Sequence, residues 1–574
     1  MDDNGKKKVT TKKQVIGVFV TALLLVLVYA FVGRIGAAGA RAIAPEPLPA
    51  NNLTSAVSLD GLTEATFAKV NSWEENGKDC TQFTVSVRNV SENEVVGWAA
   101  EMKFPRYSVI KDSWNGVFAV SGDGTLSIKN VDYNRNISVG GVQECGFIIA
   151  VPKDAALGAE EVPLTPPEPI APKDEKTASD DWLHAKGNRL YDGAGQEVWL
   201  TGLNWFGYNT GSNIFDGLWT ADAEELLQAV ADRGFNIIRV PFSAELLNRW
   251  AAGDYPEANY NRAVNARFNG MNSLQIFDYL VDSAESKGLK FLIDIHSAKT
   301  DPMGHMKPIW TDGDITEEKY LAALSWVAER YKGDDTIIAY DLKNEPHGTQ
   351  NETPRAKWDD SKDADNWRYV AEKAANAVLS KNPNALVLVE GVEIFPMNVS
   401  KGYTDDNDYY YNWWGGNLRG VRYYPVELGE FSDKLVYSPH DYGPAVYMQS
   451  WFIGGYTYDS LYKDVWQDNF MFIHEKNIAP LLIGEWGGFM SEPNLKWMTY
   501  MRELISTYRI NHTYWCLNAN SGDTGGLLRD DFVTWDEEKY EFLEPVLWQQ
   551  DGRFVGLSHT TPLGKNGISL NEYK

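Results

Sequence analysis

The sequence predicts a (β/α)8 TIM barrel preceded by a small all-β sandwich. Eight short apolar runs follow residue 180, and the stretches between them are long enough to hold helices. Strands that alternate with helices form parallel units, and eight such units in about 390 residues are typical of a barrel. Residues 63–152 instead carry short alternating runs punctuated by turn residues, which indicates a sandwich.

The eight predicted barrel strands share an apolar interior. They are Val198–Leu203, Asn236–Val240, Lys290–Ile295, Ile337–Leu342, Ala385–Val389, Leu435–Tyr437, Pro480–Ile483 and His512–Cys516. A helix between the first two runs is predicted by one apolar face, formed by Ala223, Leu226, Leu227 and Val230. Thr220 is its expected cap and Gly234 its expected end.

Polar and aromatic residues occur at the carboxyl ends of these runs, where such barrels carry their active sites. Glu345 follows one run in Asn344-Glu-Pro346, and Glu485 follows another in Gly484-Glu-Trp486. If both runs are strands of one barrel, both glutamates reach the same rim. Retaining hydrolysis of a glycosidic bond needs two carboxyls about 5–5.5 Å apart, one to protonate the leaving oxygen and one to attack.

Composition restricts the class of partner. A net charge of -26 argues against nucleic acid and against an anionic polymer. The 21 Trp and 29 Tyr suit a neutral glycan with flat CH faces. The sequence has no P-loop, no dinucleotide fingerprint and no Cys/His zinc spacing, so neither a cofactor nor a metal is expected.

The three cysteines do not form a disulfide scaffold. A single bridge between Cys80 and Cys145 is compatible with an exported protein, and Cys516 is expected to be a buried free thiol.

The N-terminus is predicted to direct export. Lysines 6, 7, 8, 12 and 13 precede an uncharged apolar run at residues 15–33, and small residues follow. The run is long for a signal peptide and about long enough to span a bilayer. A cleaved signal and a retained membrane anchor therefore both stay open. Either places the rest of the chain outside the cytoplasm, secreted or anchored at the cell surface.

Composition divides the chain into five segments. Residues 1–42 form the export segment and 43–62 a proline-containing spacer. The sandwich covers 63–152, a proline-rich linker covers 153–179, and the barrel covers 180–574.

A set of motifs resembles glycoside hydrolase family 5, and within it the bacterial endo-β-1,4-glucanases. The resemblance covers residues 181–550 and includes two glucanase-like loops, 414–418 and 521–526. Its motifs are Leu203-Asn-Trp-Phe-Gly207, Asn236-Ile-Ile-Arg-Val-Pro241, Asp294-Ile-His296, Asn344-Glu-Pro346, Tyr437-Ser-Pro-His-Asp-Tyr442, Gly484-Glu-Trp486 and Trp515.

This resemblance implies roles for the two glutamates. Glu345 would be the general acid and then the base, with a pKa raised enough to keep a proton near neutral pH. Glu485 would be the nucleophile, and Arg239 would favour its ionised form. Tyr442 would donate a hydrogen bond to Glu485. Asn344 would bond the sugar 2-hydroxyl.

The resemblance also implies the walls of the sugar site. His296 and His440 would line the subsite of the reacting sugar, and Trp515 would be the platform beneath it. Four further tryptophans are candidate outer platforms, although each fits a core position equally well: Trp205, Trp219, Trp310 and Trp414.

Residues 63–152 are similar to the family 2 cellulose-binding module. The similarity runs through Ser72-Trp73, Phe83–Val87, Gly97-Trp98, Asp112–Asn115 and Gly140–Phe147. It implies that Trp73, Trp114 and Tyr133 stack on sugar rings from one flat sheet face. Tyr133 replaces the usual third tryptophan, and the two cysteines lie within strands rather than at the ends of the domain.

The sequence therefore predicts an exported, monomeric, retaining endo-β-1,4-glucanase that binds cellulose or a related β-glucan. Two alternatives stay open. The same catalytic residues would serve a hydrolase of β-mannan, xyloglucan or mixed-linkage glucan. A non-catalytic glycan-binding protein at the cell surface is the other alternative.

Overall fold

The computed structural model describes residues 62–75, 78–104, 108–120, 125–131, 134–152 and 181–574, together with two short strands before residue 62. The chain divides into two compact units, Met1–Leu164 and Thr165–Lys574. The predicted segments at 15–33 and 153–179 lie outside the described residues. None of the helices in the described part of the chain is both long enough and apolar enough to cross a membrane.

The first unit is built from mainly antiparallel sheets. A five-stranded sheet has the order Leu53–Val57, Thr63–Glu75, Lys78–Asn89, Val142–Pro152, Val109–Trp114. A four-stranded sheet has the order Ala40–Ile43, Trp98–Lys103, Thr125–Lys129, Val117–Val120, its first pair being parallel. A small ladder pairs Val95–Val96 with Asn136–Ile137. The expected spacer thus contributes a strand, Leu53–Val57, to the first sheet.

Both sheets share one apolar core, so the unit is a sandwich. Phe83, Val85 and Phe147 enter it from the five-stranded sheet, and Leu126 and Ile128 enter it from the other. Trp98 is also buried there, and its indole N–H donates to the carbonyl of Asn134.

The three cysteines are free and buried, and the proposed disulfide is wrong. In the pairing of two neighbouring strands, Cys80 lies opposite Ala150 and Cys145 lies opposite Val85. Five residues separate these two positions, which is about 17 Å at about 3.4 Å per residue. A disulfide requires Cα atoms closer than about 7 Å. Only Cys145 belongs to the shared core.

The second unit confirms the predicted barrel. Its strands are β1 Thr201–Asn204, β2 Ile237–Ser243, β3 Lys290–Ser297, β4 Ile337–Asp341, β5 Leu386–Val389, β6 Leu435–Tyr437, β7 Leu482–Ile483 and β8 Asn511–Tyr514. They pair in parallel in the order β6-β5-β4-β3-β2-β1-β8-β7. Every residue of these strands is buried, as apolar runs covered on both faces predict.

Two isolated parallel bridges close the ring between β6 and β7. Tyr437 pairs with Leu481, and His440 pairs with Glu485. The N–H of Gly484 donates to the carbonyl of Pro439, and the N–H of Asp441 donates to the carbonyl of Glu485. The seam of the barrel therefore runs beside the predicted nucleophile.

Helices follow seven of the eight strands. They are Ala223–Asp232, Ala244–Ala251, Ser273–Glu285, Glu317–Arg330, Trp367–Leu379, Tyr458–Leu461, the π-helical Tyr462–Met471, Phe472–Glu475, Asn494–Tyr508 and Glu537–Leu543. Between β5 and β6 the described chain has only 3-10 turns and a hairpin. These are Ile394–Pro396, Tyr409–Tyr411, Arg419–Arg422 and Gly429–Lys434.

The first barrel helix has the predicted apolar face but a different cap. Asp222, not Thr220, accepts the N–H groups of Glu224 and Glu225. A carboxylate at this position also offsets the positive end of the helix dipole, which a hydroxyl cannot do. Gly234 follows the helix at φ +84°, as the predicted end requires.

An ionic cluster joins the N-terminal and C-terminal parts of the second unit. It lies at the amino ends of the barrel strands, opposite the carboxyl ends that carry the predicted site. Nζ of Lys290, the first residue of β3, lies 2.7 Å from Asp181 and 3.1 Å from Asp335. His559, near the C-terminus, lies 2.7 Å from Asp181 and 3.0 Å from Asp192. Asp192 is the last residue of the middle strand of a three-stranded sheet, which is formed by Leu183–Lys186, Arg189–Asp192 and Glu197–Val198.

Candidate active site

Glu345 and Glu485 meet at the rim because each follows a barrel strand, β4 and β7 respectively. A carboxylate oxygen of each lies within 4.8 Å of the other and of a ring nitrogen of His440. Asp341, Glu390 and His440 form a second such group. Both groups belong to one continuous cluster at the carboxyl ends of the strands.

The backbone of Glu345 is held in an unusual conformation. Its φ is +50°, a left-handed value that costs a residue with a side chain about 1–3 kcal/mol. Its N–H donates to Oε2 of Glu390 at 2.7 Å, and its carbonyl lies 2.7 Å from Nδ1 of His347. Two hydrogen bonds thus fix the peptide groups on either side of the strained residue.

Arg239, from β2, is the central cation of the site and is completely buried. Its Nη1 donates to Oε1 of Glu485 at 2.8 Å and to Oδ1 of Asn204 at 3.0 Å. Its Nε donates to Asp341 at 3.0 Å, and its Nη2 lies 3.2 Å from Asp294. Because strand register puts Asn204 beside Arg239 and Asp294 beside Asp341, these contacts follow from the sheet itself.

Tyr442 and Asn344 complete the surroundings of the two glutamates. The hydroxyl of Tyr442 donates to Oε2 of Glu485 at 2.6 Å. Nη2 of Arg239 donates to Oδ1 of Asn344 at 3.0 Å. Each oxygen of Glu485 therefore has a donor, and Arg239 fixes the amide oxygen of Asn344.

His440 lies between three carboxylates. Its Nδ1 is 3.1 Å from Oε1 of Glu345 and 3.7 Å from Oε2 of Glu485. Its Nε2 is 3.1 Å from Oε1 of Glu390. Burial alone would lower the pKa of His440, but these carboxylates raise it well above its ordinary value. The ring is therefore an imidazolium near neutral pH.

The pKa values of the carboxyl groups in the site differ from those that the sequence predicts. Burial acts to raise the pKa of Glu345, but the hydrogen bond and charge of His440 outweigh it, and the pKa is lowered. Burial instead raises the pKa of Glu390 to about 8, that of Asp294 to about 7 and that of Asp341 to about 6. Without substrate, the raised pKa expected of Glu345 is therefore absent, because the imidazolium beside it stabilises the carboxylate.

Trp515 follows β8 and forms an aromatic wall with its neighbours. Its ring stacks with His296 at 5.6 Å and with Phe206 at 5.5 Å between centroids. Its indole N–H donates to Oγ of Ser521, in the second glucanase-like loop. Nδ1 of His296 lies 2.8 Å from Asp294, which fixes the imidazole plane, and burial lowers the pKa of His296 well below its ordinary value.

The structure separates the four candidate outer platforms. Trp205 and Trp310 are fully buried core residues. Trp219 is half-buried and packs edge-on against Phe532. Trp414, in the first glucanase-like loop, is half-buried and stacks face to face on His347 with centroids 3.7 Å apart. Since His347 also contacts the backbone of Glu345, Trp414 is the candidate that belongs to the site.

Sequence reasoning assigned no role to three buried carboxyls: Glu390, Asp294 and Asp341. The signal was present for Glu390, which follows β5 as Glu345 follows β4. It stands in Val389-Glu-Gly391 without the flanking Asn or Trp that marked the other two glutamates.

Two of the three candidate aromatics of the sandwich lie on one sheet face. Trp73 pairs with Cys80, which pairs with Ala150, and Trp114 pairs with Gly146. Directly paired residues share a face, and so do residues four apart in one strand. The ring of Trp114 lies on Gly146, where a Cβ would be 2.3 Å from it. Tyr133 lies outside the described residues.

Comparison with known protein families shows to which family the barrel belongs. The model described as cellulase (glycosyl hydrolase family 5) matches residues 191–521, which is more than half of the chain. The chain belongs to glycosyl hydrolase family 5. The model described as cellulose binding domain matches residues 63–161 of this family 5 enzyme.

Individual relatives agree with this placement. The family 5 chain is 47% identical over 433 residues to endoglucanase G of Acetivibrio thermocellus, covering 69% of this chain and 76% of the relative. It is 43% identical over 431 residues to endoglucanase B of the same organism, covering 68% and 77%. A solved structure of a hyperthermophilic endocellulase from Pyrococcus horikoshii is 31% identical, with a TM-score of 0.56 and coverage of 64% and 98%.

Proposed function

We propose that this family 5 hydrolase is a retaining endo-β-1,4-glucanase that cleaves internal bonds of cellulose. The observation that carries the mechanism is the approach of Glu345 and Glu485, whose carboxylate oxygens lie within 4.8 Å of each other. Retaining enzymes hold their carboxyls about 5–5.5 Å apart, whereas inverting enzymes need about 6.5–9.5 Å to admit a water.

Each glutamate has surroundings suited to one role. Glu485 accepts hydrogen bonds from Arg239 and Tyr442, which orient its side chain as the nucleophile that attacks the anomeric carbon. Glu345 protonates the leaving glycosidic oxygen as the bond breaks. It then takes a proton from the water that hydrolyses the glycosyl-enzyme ester, so both steps use the same pair.

The sugar would be held by the groups around this pair. Asn344 donates to the 2-hydroxyl, a contact that strengthens in the transition state. Trp515 stacks beneath the reacting sugar, with His296 fixed against its ring. His440 lines the same subsite beside both glutamates. The similarity of the chain to endoglucanases supports these roles.

The sandwich would hold the enzyme on its polymer. Trp73 and Trp114 share a face from which aromatic rings can stack on glucan chains, in a region that matches a cellulose binding domain. Tethering two modules raises the local concentration of the enzyme on an insoluble substrate. Because cellulose is too large to enter a cell, we further propose that the N-terminal segment directs export, as a cleaved signal or an anchor.

The proposal is tested by hydrolysis of a panel of polymers with the full chain: carboxymethylcellulose, mixed-linkage glucan, xyloglucan, mannan and xylan. Viscosity and reducing ends are measured together. We expect a rapid fall in viscosity of carboxymethylcellulose with few new ends. Proton NMR of early products should show the β-anomer first, as retention requires. Preference for mannan or xyloglucan would overturn the substrate, and an initial α-anomer would overturn retention.

Variants test the two assignments. We expect Glu485→Ala to lower kcat on the order of 10⁴-fold or more while cellulose binding persists, because the nucleophile is lost. Loss of the general acid in Glu345→Ala should cost about 10²–10⁴-fold. Glu538→Ala, an exposed glutamate on the helix Glu537–Leu543, is the matched control. Equal activity of Glu485→Ala and the parent enzyme would remove Glu485 from its role.

A further inference from the structure

The loop after β3 carries an imidazole that the proposed mechanism does not use. His305 lies in a 3-10 turn, Gly304–Met306, and is half-buried. Its ring lies 6.0 Å from the ring of His296 between centroids, at an angle of 53°. Because His296 also stacks with Trp515, His305 extends the wall that begins at the platform of the reacting sugar.

The turn is fixed on the end of β3. Gly304 is buried, and a Cβ there would lie 2.7 Å from Cβ of Ser297, the last residue of that strand. The N–H of Gly304 donates to the carbonyl of Asp301 at 2.9 Å, and the N–H of Asp301 donates to the carbonyl of Asn209 at 3.0 Å. The backbone around the turn therefore sets the position of His305.

The same loop also contacts the segment that follows β4. The N–H of His347 donates to the carbonyl of Pro308 at 3.1 Å, and Nδ1 of His347 lies 2.7 Å from the carbonyl of Glu345. Burial lowers the pKa of His347 to about 4, although the carbonyls of Glu345 and Met306 act to raise it. The backbone of Met306, the neighbour of His305, therefore lies against the ring of His347.

His305 thus stands between two aromatic pairs. On one side Trp515 stacks with His296, and on the other Trp414 stacks on His347 with centroids 3.7 Å apart. In the proposed function the first pair binds the reacting sugar. The second pair adjoins the backbone of the acid that protonates the leaving oxygen, so it lies on the side of the leaving sugar.

Electrostatic effects agree with this placement. Burial acts to raise the pKa of Glu345, but the hydrogen bond and charge of His440 outweigh it, and a proton on His305 acts in the same direction as His440. Burial lowers the pKa of His296, and a proton on His305 adds to that effect. The imidazole of His305 is therefore close both to the acid and to the wall of the reacting sugar.

Neither ring nitrogen of His305 has a hydrogen-bond partner among the residues that the structure describes. The three other imidazoles around the cleft each have a polar partner: His296, His347 and His440. A neutral imidazole offers one N–H donor and one acceptor, and a sugar hydroxyl can bond to either. The half-buried ring of His305 is therefore available to a ligand in the cleft.

We propose that His305 is a specificity-determining residue that hydrogen-bonds a hydroxyl group of the leaving sugar. This inference rests on the proposed function, which supplies the glucan and the direction of cleavage. Residues 301–308 would then recognise the sugar that leaves, whereas Trp515 and His296 hold the sugar that reacts. The contact acts during bond cleavage and, in reverse, when a sugar acceptor attacks the glycosyl-enzyme.

Two substrates that donate the same cellobiosyl group test this contact. Cellotetraose cleaved at its central bond releases cellobiose, whereas 4-nitrophenyl cellobioside releases a phenol without sugar hydroxyls. For the full chain with His305→Ala, we expect kcat/KM on cellotetraose to fall about 3- to 10-fold, because one neutral hydrogen bond is lost. On the nitrophenyl substrate kcat/KM should fall less than about twofold. His305→Gln keeps an N–H and an oxygen, so it should recover part of the loss.

Transfer to a sugar acceptor gives an independent measurement. When 4-nitrophenyl cellobioside is hydrolysed with cellobiose present, a hydroxyl of cellobiose can replace water as the attacking group. The ester bond to Glu485 breaks, a glycosidic bond forms, and Glu345 takes the hydroxyl proton. We expect His305→Ala to lower the early ratio of cellotetraose formed to nitrophenol released about threefold or more.

Met303→Ala is the matched control, because Met303 lies in the same loop and is 59% exposed. It should leave the rates on both substrates and the transfer ratio unchanged. The unfolding temperature of His305→Ala should match that of the parent enzyme, since the replaced ring forms no hydrogen bond within the described residues. Equal losses on the two substrates, or no loss on either, would overturn the proposal. A loss of the same size in Met303→Ala would also overturn it.

The failure of this inference is distinguishable from failure of the proposed function. If the parent enzyme cleaves mannotetraose better than cellotetraose, the proposed substrate is wrong. The same variants compared on mannotetraose and 4-nitrophenyl mannobioside then still test His305. If the parent prefers cellotetraose and His305→Ala loses equally on both cellobiosyl substrates, only the role of His305 is wrong.

Discussion

The hydroxyl of Tyr442 donates a hydrogen bond of 2.6 Å to Oε2 of Glu485. Burial and the charge of Glu485 raise the pKa of Tyr442 well above its ordinary value, so the hydroxyl keeps its proton throughout the working pH range. With Arg239 on the other oxygen, the carboxylate is fixed in one orientation. Replacing Tyr442 therefore tests how the orientation of Glu485 affects catalysis, while Glu485 itself stays in place.

We expect Tyr442→Phe to lower kcat about 10- to 100-fold with little change in unfolding temperature. A hydrogen bond to a charged group contributes about 1.5–3 kcal/mol, and each 1.4 kcal/mol is tenfold in rate. Steady-state kinetics on carboxymethylcellulose measure the loss. Tyr437→Phe, a buried tyrosine whose hydroxyl accepts from Val426 instead, is the control. A kcat unchanged in Tyr442→Phe would show that Arg239 alone orients Glu485.

Replacing Trp515 should weaken sugar binding and rate together. Its ring stacks with His296 and with Phe206, and loss of such a surface costs about 1.5–3 kcal/mol. We expect Trp515→Ala to lower kcat/KM about 10- to 100-fold and Trp515→Phe to recover part of that loss. Kinetics on cellotetraose provide the measurement. Full activity of the alanine variant would exclude the platform role.

The sandwich face should matter for insoluble substrate alone. Truncation of an aromatic side chain that anchors a ligand typically costs at least about 2 kcal/mol. We expect Trp73→Ala and Trp114→Ala each to reduce adsorption to microcrystalline cellulose about tenfold or more, with hydrolysis of carboxymethylcellulose retained. Val117→Ala, exposed on the other sheet, is the control. Unchanged adsorption in the double variant would leave the sandwich without a demonstrated ligand.

Stability should depend on pH through His559. Burial alone would lower the pKa of His559, but Asp181 and Asp192 outweigh it and raise it. A raised pKa gives stability that is fully present below the unfolded-state value of about 6.5 and is lost as pH rises through the folded-state value. Lys290 and Asp335 complete the charges around this cluster, and the proximity of Lys290 lowers the pKa of Asp181.

Accordingly, His559→Gln should lose about 1.5–3 kcal/mol of unfolding free energy at pH 6 and less at higher pH. Thermal unfolding of variant and parent across pH 5 to about 9 measures the difference. Asp192→Asn should reduce the same pH dependence, and Asp181, which still faces His559, should keep the rest of it. A difference that is equal at all pH values would mean that the contact is not ionic.

Much of the fold follows from simple patterns in the chain. The eight strands were predictable because each is a short apolar run covered on both faces, and the rule that sites lie at strand ends brought Glu345 and Glu485 together. The sandwich followed from alternation. These signals are local. A barrel can be predicted from them because the same pattern of apolar run and helix recurs along the chain.

Other features depend on contacts between distant residues. The lowered pKa of Glu345 comes from His440, ninety-five positions later, and the left-handed backbone of Glu345 has no local signature. The proposed disulfide failed because strand register, which the sequence does not state, separates Cys80 from Cys145. The cap at Asp222 instead of Thr220 shows how close two acceptable caps can lie.

The bridge between His440 and Glu485 has a consequence for maturation of the enzyme. It is part of the seam between β6 and β7, so Glu485 meets His440 and Tyr442, which follow β6, only where that seam has formed. A partly folded chain contains every catalytic side chain, but it lacks the closed barrel that brings them together. Appearance of activity during refolding therefore reports completion of the ring, and no partly assembled form should hydrolyse glucan.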